Sequence, residues 1–250
     1  MSSPPAVASP PAVASRRAEL ALRLGVGAGV LIAAAWLFGA IAEDVVTGDR
    51  LTVVDVQLAQ WLRAHATPEL TRWMLVVTDL HSTVAVSCYA AIVAAALAWR
   101  RQWRHVLTVF ACVAGGLTLN VLMKLAFQRA RPVFDEPLLT LTSYSFPSGH
   151  VAGSTLIYGL IVAWTFTRTR RPLVRAAVVL AAAGAIALVA FTRMYLGVHY
   201  LSDVAAAFAE GVAWLALCLS ALTAFWDRAP APPPATVRAS DVRGVAHRQP

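Results

Sequence analysis

The 250-residue chain is too apolar for an ordinary soluble domain: hydrophobic residues make up 58% of it, charged residues only 14%, and the mean hydropathy is +0.64. Soluble domains carry about a quarter charged residues. The net charge of +8 would suit nucleic-acid binding, but the basic residues lie beside apolar runs and form no basic face of a soluble domain. We therefore predict a polytopic membrane protein with no nucleic-acid partner.

The two ends of the chain differ from its middle. Residues 4–9 and 10–15 both read Pro-Pro-Ala-Val-Ala-Ser, and the C-terminal segment is rich in Pro, Ala and Arg. Neither end has a periodic apolar face, and such compositions are typical of unfolded tails. We predict a disordered tail over residues 1–20, a membrane domain over 21–226 and a second disordered tail over 227–250.

Six apolar runs come close to the roughly 20 residues that a membrane-spanning helix needs. They cover about 24–42, 70 or 76 to 99, 105–127, 150–167, 173–192 and 201–226. The first run is longer than the ~7–15 residues of a signal-peptide core. An uncleaved helix is therefore favoured over a cleaved leader that ends at Ala40-Ile41-Ala42. The predicted fold class is all-α, a bundle of six transmembrane helices.

A short amphipathic segment lies between the first two runs. Residues 51–66 are too polar to span a membrane, but apolar side chains recur in them at helical spacing. These side chains are Leu51, Val54, Leu58, Trp61 and Leu62. The pattern predicts a helix that lies at the membrane surface.

The distribution of lysine and arginine predicts the orientation in the membrane. Six spans put both termini on one side, and that side carries 14 of the 21 basic residues. Basic loops stay in the cytoplasm, so both termini are predicted to be cytoplasmic. Three polar clusters at the other ends of the spans then share the exoplasmic face of a plasma membrane.

The first cluster ends the third span and consists of Lys124, six further residues and Arg131-Pro132. A compact ammonium group and a planar guanidinium group are suited to holding phosphoryl oxygens. Pro132 indicates that the helix gives way to a loop here. Basic residues near a helix end also commonly extend to the membrane interface, which is the alternative for this cluster.

The second cluster, Pro147-Ser148-Gly149-His150, opens the fourth span. Ser148 is suited to cap the helix, and Gly149 allows a ligand to approach the backbone. The positive end of the helix dipole favours an anion, beside which His150 could act. The alternative is an ordinary cap followed by a histidine at the membrane interface.

The third cluster contains Arg193, then His199 and, four residues later, Asp203. On a helix, His199 and Asp203 share a face. A carboxylate bound to one ring nitrogen fixes the tautomer and leaves the other nitrogen free to attack. Arg193 could stabilise charge on a phosphoryl group. Three such clusters on one membrane face indicate a phosphate site with a histidine nucleophile.

Together, Lys-x6-Arg-Pro, Pro-Ser-Gly-His and Arg-x5-His-x3-Asp resemble the motifs of the type 2 phosphatidic acid phosphatase superfamily, over about 70–226. The resemblance implies a lipid phosphatase with no metal and no cofactor. It implies that His199 takes the phosphoryl group, that Asp203 orients it, and that His150 acts as acid and then base. The residues implied to hold the phosphate are Lys124, Arg131, Ser148, Gly149 and Arg193. The family usually has Ser where this chain has Thr192, which keeps the hydroxyl group.

Other polar residues lie near these clusters. Glu210 is at a depth where an ionisable group usually faces the bundle interior, either beside the site or in an interhelical hydrogen bond. Asn120 is four residues before Lys124 and could orient its amine or join two helices. Asp79 and His81 are expected at the membrane interface rather than in the site.

The expected substrate is a lipid phosphate whose headgroup reaches the site while its tail stays in the bilayer. Undecaprenyl diphosphate, phosphatidylglycerophosphate and phosphatidate are all substrates in the family that the chain resembles. Two alternatives stay open: a phosphotransferase that uses an alcohol acceptor, and a non-enzymatic membrane protein that binds an anion or a lipid. The sequence does not choose among the substrates and does not give the oligomeric state.

Overall fold

A computed structural model describes residues 10–228 and shows an all-α protein in that range, with no β-strand. Its α-helices are α1 (Pro10–Thr47), α2 (Arg50–Ala64), α3 (Pro68–Leu80), α4 (Thr83–Trp99), α5 (Trp103–Val109), α6 (Gly115–Phe127), α7 (Gly149–Arg168), α8 (Pro172–Tyr195) and α9 (Leu201–Arg228). The longest connection between them is 128–148. The all-α fold class predicted from the sequence is confirmed.

The described helices include five segments that are long and apolar enough to cross a membrane. They are Arg17–Thr47, Trp103–Phe127, Gly149–Arg168, Pro172–Tyr195 and Leu201–Asp227. Helices α3 and α4 pass the same test together, as a pair bent by 41°. The bend is stabilised because Ser82 caps α4, accepting a hydrogen bond from the Ala85 amide at 3.2 Å. The second predicted run, from residue 70 or 76 to 99, thus falls on two helices with a bend between them rather than on one straight helix.

Two predicted domain boundaries differ from the structure. Helix α1 begins at Pro10, inside the segment 1–20 that was expected to be unfolded. Proline is tolerated in the first turn of a helix, and the Ala, Leu, Glu and Arg residues that follow favour helix. Helix α9 continues through Arg228, just past the predicted end at 226. The remaining parts of the two predicted tails, 1–9 and 229–250, lie outside the described residues.

The third span contains one π-helical turn, Phe110–Ala114, between α5 and α6. Within this turn the carbonyl oxygen of Ala111 accepts a hydrogen bond from the Trp214 indole at 3.0 Å. The next two residues make room for this indole, because a Cβ on Gly115 or Gly116 would lie 2.7 or 2.9 Å from it. Helix α6 is thereby fixed against α9 just before it reaches the polar clusters.

The ends of four helices meet at one end of the bundle. Helices α6 and α8 end there, at Phe127 and Tyr195, and helices α7 and α9 begin there, at Gly149 and Leu201. Helix α2 contacts α8 and α9, and the connection 128–148 covers the same end through hydrogen bonds to α6 and to the α8–α9 turn. The three polar clusters lie at this end.

Candidate active site

His199 lies in the short turn between α8 and α9 and is only 2% exposed. Gly197 makes this turn possible: its φ is +69°, in the left-handed region, and a Cβ there would come 2.8 Å from the Phe134 ring. Burial lowers the pKa of His199 to about 3, although Asp203 acts in the opposite direction. The imidazole of the free protein is therefore neutral near pH 7.

The hydrogen bonds of the His199 ring define its tautomer. Nε2 lies 3.2 Å from Arg131 Nη1, and a guanidinium group can only donate hydrogen bonds. Nε2 therefore accepts, and the single proton of the neutral ring is on Nδ1, which donates to Asp203 Oδ2 at 3.3 Å. The ring nitrogen that carries the lone pair thus faces the cationic side of the site.

Asp203, in the first turn of α9, is completely buried and accepts several hydrogen bonds. Its Oδ2 atom accepts from the Ser145 hydroxyl, from the Tyr200 amide at 2.9 Å and from the His199 ring. Its Oδ1 atom accepts from Arg129 Nη1 at 2.7 Å. A carboxylate bound by so many donors is held in one orientation, so it can fix the orientation of the imidazole.

Arg129 and Asp55 extend this network to α2, and neither is among the site residues predicted from the sequence. Arg129 Nη2 donates to Asp55 Oδ2 at 2.8 Å. Asp55 is 1% exposed and also accepts from the amide and the hydroxyl of Ser202. Burial acts to lower the pKa of Arg129, but Asp203 and Asp55 outweigh it and raise this pKa. One arginine is thus held between two buried carboxylates.

The sequence partly indicates that Arg129 and Asp55 are important. Arg129 is part of the first cluster, two residues before Arg131. Asp55 is a single carboxylate within a largely apolar stretch of α2, and a buried carboxylate requires a partner. The identity of that partner could not be predicted, because the two side chains are 74 positions apart in the chain.

Lys124 and Arg131, the two cations of the first motif that were implied to hold phosphate, bind backbone carbonyl groups of the connection 128–148. Lys124 Nζ donates to Tyr144 O at 2.8 Å, and Arg131 Nε donates to Ser143 O at 2.7 Å. Burial lowers the pKa of Arg131. Lys124 and Arg131 thus also hold the connection 128–148 in place beside the site.

Arg193, near the end of α8, is 1% exposed and only partly hydrogen-bonded. Its Nη1 donates to Thr78 Oγ1 at 2.6 Å, whereas Nε and Nη2 have no partner among residues 10–228. These two atoms form the edge of the guanidinium group that can bind two oxygens of one phosphate side by side. Buried donors without a partner cost free energy, so this edge is suited to an anionic ligand.

The second cluster lies where α7 begins. Ser148 occupies the N-cap position, as predicted, but its buried hydroxyl makes no capping bond and has no partner within the described part of the chain. A Cβ at Gly149 would lie 3.3 Å from Asn120 Oδ1 and 3.4 Å from Thr83 Oγ1. Glycine at this position therefore permits the close approach of α6 and α4 to α7.

His150, in the first turn of α7, is half-buried and lies within electrostatic range of the other two clusters. The charged or titratable groups that act on it are Arg193, His199, Arg131 and Lys124. The structure therefore brings the residues of all three clusters around one space, where cations surround two imidazoles. Such a concentration of positive charge is suited to an anion. No group of three or more His, Cys, Asp or Glu side chains within 10–228 could hold a metal ion.

Asn120 and Glu210 form an interhelical hydrogen bond beside the site. Asn120 Nδ2 donates to Glu210 Oε2 at 2.8 Å, and both side chains are buried. Glu210 Oε1 has no partner among the described residues. Of the alternatives for Glu210, the interhelical hydrogen bond is the one observed, and it also joins helices α6 and α9.

Other residues singled out in the sequence make local contacts. The Thr192 hydroxyl donates to Val189 O within α8 at 2.7 Å rather than to a residue of the clusters. The His81 ring binds Tyr158 Oη at 2.8 Å. Asp79 is exposed, but its charge acts on Arg193, so it lies at the edge of the site.

Comparison with known proteins gives matches over the same region. The model of the PAP2 superfamily matches residues 105–227. Phosphatidylglycerophosphatase B of Bacillus subtilis (strain 168) is 34% identical over 115 residues, which are 46% of this chain and 56% of that relative. The aligned part of the chain thus spans little more than half the length of the curated relative.

Two solved structures share the fold. One is a transmembrane PAP2-type phosphatidylglycerolphosphate phosphatase from Bacillus subtilis, with a TM-score of 0.68 and 24% identity, covering 80% of this chain and 97% of that one. The other is Aquifex aeolicus LpxE, with a TM-score of 0.52 and 20% identity, covering 66% and 94%. At these identities the structural likeness establishes the fold alone. The chain is a multi-pass membrane protein, and its residues 105–227 match the PAP2 superfamily.

Proposed function

We propose that this protein is a membrane lipid phosphatase that hydrolyses a lipid phosphomonoester or diphosphate through a phosphohistidine. The observation that carries the proposal is the state of His199: Nδ1 is bound to the buried Asp203, whereas the Nε2 lone pair faces the cations. A neutral imidazole in this tautomer can attack phosphorus without first losing a proton. The match of residues 105–227 to the PAP2 superfamily supports the same reaction class.

In the proposed complex, the phosphate group is held by protein cations and by the start of α7. Arg193 offers the edge formed by Nε and Nη2, Ser148 offers its hydroxyl and Gly149 its backbone amide. Lys124 and Arg131 add positive charge. These groups neutralise the phosphoryl oxygens that would otherwise repel the attacking lone pair. In this scheme they do the work that Mg²⁺ does in metal-dependent phosphatases.

The first chemical step transfers the phosphoryl group to the protein. The Nε2 lone pair of His199 forms a bond to phosphorus while the bond from phosphorus to the lipid oxygen breaks. His150 donates a proton to that oxygen, so the lipid alcohol, or the lipid monophosphate from a diphosphate, leaves in protonated form. Asp203 stabilises the positive charge that develops on the His199 ring.

The second step returns the protein to its starting state. His150, now neutral, removes a proton from a water molecule, and the water oxygen bonds to phosphorus. The nitrogen–phosphorus bond breaks, its electron pair returns to Nε2, and inorganic phosphate is released. His150 therefore serves as acid and then as base.

The distribution of basic residues supports an exoplasmic site, because 14 of the 21 lie on the side of the two termini. A site at a helix end lets a headgroup bind while the lipid tail remains in the bilayer. The name of the 34% identical relative makes phosphatidylglycerophosphate the first substrate to examine. Phosphatidate and undecaprenyl diphosphate are the other candidates.

Phosphate release by the purified protein in detergent with EDTA tests this proposal. The three lipids are compared for the wild type, for His199→Ala and for the control His105→Ala, whose imidazole packs on Trp164 in α7, away from the clusters. The wild type and the control are expected to release phosphate from at least one lipid. His199→Ala is expected to lose activity by orders of magnitude, because the nucleophile is absent.

The same assay separates the alternatives. Equal release by His199→Ala would remove His199 from its role, and a requirement for a divalent metal would contradict the scheme. Transfer of phosphate to an added alcohol, with little free phosphate, would identify a phosphotransferase. Binding of the lipids without release or transfer would identify a non-enzymatic binding protein.

A further inference from the structure

A charged cavity lies at the opposite end of the bundle from the candidate active site. Helix α7 begins at the active site and ends at this cavity, and its 20 residues span about 30 Å. The cavity has a volume of about 840 Å³ and lies between α1, α7, α8 and α9. Its charged lining residues are Glu19, Arg23, Arg168, Arg170 and Arg175. The lining is therefore strongly basic.

Two arginines of this cavity form hydrogen bonds or ion pairs within the described part of the chain, and two do not. Arg175 donates to Thr169 O at 2.8 Å and so holds the end of α7, and Arg23 pairs with Glu19 at 2.6 Å. Arg168 and Arg170 are exposed and make no side-chain hydrogen bond or ion pair to a residue of 10–228. Two guanidinium groups thus remain available to an anionic ligand.

An apolar groove continues from the basic cavity along the membrane-spanning helices. The groove has a volume of about 430 Å³, lies between α1, α7 and α9, and shares Arg23 and Leu219 with the cavity. Along α9 its lining runs from Val212 to Thr223, a length of roughly 16 Å. That is close to half of the ~30 Å hydrocarbon core of a bilayer. The groove therefore has the length of one lipid leaflet.

We infer that the cavity and the groove together bind one anionic phospholipid of the leaflet opposite the active site. Its phosphate-bearing headgroup lies against Arg168 and Arg170, and one acyl chain lies in the groove. Guanidinium groups bind phosphate oxygens in pairs, and basic side chains at a membrane surface attract anionic lipids. This lipid is a bound structural partner and not the substrate, so the inference is independent of the proposed phosphatase activity.

Thermal unfolding in detergent with added lipid tests this inference. Phosphatidylglycerol, which carries no phosphomonoester, is compared with phosphatidylcholine of the same acyl chains, and native mass spectrometry counts the lipids retained. The variant is Arg168→Gln/Arg170→Gln. The matched control is Arg100→Gln/Arg101→Gln, which removes the same charge from the α4–α5 connection at the same end of the bundle.

Phosphatidylglycerol is expected to stabilise the wild type and the control more than phosphatidylcholine does, with one molecule retained per chain. The Arg168→Gln/Arg170→Gln variant is expected to bind phosphatidylglycerol roughly 30-fold more weakly, because each basic residue near the surface contributes about a fivefold factor. A short-chain phosphatidylglycerol is expected to stabilise the wild type less, since it leaves most of the groove unfilled.

Three results would overturn the inference. The first is equal stabilisation by the two lipids in the wild type, and the second is an equal loss of binding in the variant and the control. The third is stabilisation that does not depend on acyl length, which would show that the groove is not used. If the variant unfolds before it can be measured, the acyl-length series on the wild type still decides the question.

Discussion

Arg129 Nη1 lies 2.7 Å from Asp203 Oδ1, and the same guanidinium group binds Asp55 Oδ2 of α2 at 2.8 Å. Both carboxylate side chains are completely shielded from solvent, and the arginine side chain is 14% exposed. Asp55 precedes the residues 105–227 that match the PAP2 superfamily. Helix α2, which lies outside residues 105–227, thus helps to hold Asp203 beside His199 through Arg129.

Replacing Arg129 is expected to affect both stability and activity. Arg129→Gln leaves two buried carboxylates close together without a cation, and loss of one partner of a buried pair costs roughly 3–5 kcal/mol. We expect a lower melting temperature and a lower kcat with a smaller change in KM, because Asp203 is no longer held in place. Asp55→Asn should have the weaker effect, since Arg129 then still binds Asp203.

Arg72→Gln is the control for Arg129→Gln, because Arg72 is an exposed arginine on α3. Melting and initial rates are measured for all four proteins in one detergent. A melting temperature and a kcat of Arg129→Gln equal to those of Arg72→Gln would show that the ion pair does not support the site.

Arg193 is expected to lower the stability of the ligand-free protein and to bind the phosphate group of the ligand. Arg193→Met removes a buried charge that has two unpaired donors, and a gain of about 1 kcal/mol would raise the melting temperature by roughly 2–4 °C. Phosphate release should be lost, and added inorganic phosphate should stabilise the wild type but not the variant. Equal stabilisation of both proteins by phosphate would contradict a role for Arg193 in binding it.

Acid is expected to destabilise the protein through His199. The pKa of His199 is lowered from 6.5 to about 3 by burial, so below pH 6.5 the unfolded chain binds a proton that the folded protein does not. Stability should therefore fall as the pH drops from about 6.5 towards 3, by up to about 1.4 kcal/mol per pH unit. This contribution is absent above pH 6.5, where the ring is neutral in both states.

The pH effect is measured as the melting temperature of the wild type and His199→Gln between pH 7 and 4. The wild type should lose stability more steeply than the variant, which cannot titrate at this position. Parallel curves, or an NMR titration of His199 near pH 6.5 in the folded protein, would refute the assignment of a neutral buried imidazole.

Gly197 is expected to tolerate no side chain. Gly197→Ala forces alanine into a φ of +69° and places its Cβ 2.8 Å from the Phe134 ring, at a strain cost of about 1–3 kcal/mol. Activity should fall with stability, because His199 follows in the same turn. The control Gly184→Ala lies within α8 with nothing near its Cβ and should be neutral or stabilising. Wild-type melting and activity in Gly197→Ala would contradict this account.

The spacing of the third motif predicted the contact between His199 and Asp203, which the structure contains. His199 and Asp203 are four residues apart, and the cations of the first and third clusters end two of the predicted spans. Hydropathy located those ends, because a span has a nearly fixed length. The contacts of Asp55 with Arg129 and of Ser145 with Asp203 could not be predicted, since each joins distant parts of the chain.

Helix α2 shows a second limit of sequence patterns. The periodicity correctly predicts a helix, but the face that packs on the protein contains Asp55, Ala59 and Leu62. Trp61, on the predicted apolar face, is 57% exposed. In a membrane protein an exposed apolar side chain can contact lipid, so apolar periodicity does not indicate which face is buried in the protein. Asp55 lies on the face that packs on the protein because it forms an ion pair with Arg129.

The proposed mechanism requires that His199 become phosphorylated during turnover, and this phosphohistidine can be trapped. The protein is mixed with a lipid substrate labelled at the terminal phosphate, quenched in base within the first turnover and digested for mass spectrometry. An acid-labile label is expected on the peptide that contains His199, and no label is expected in His199→Ala. His150→Ala should accumulate label when a substrate with a good leaving group is used. Turnover without label on His199, or label on another residue, would rule out His199 as the nucleophile.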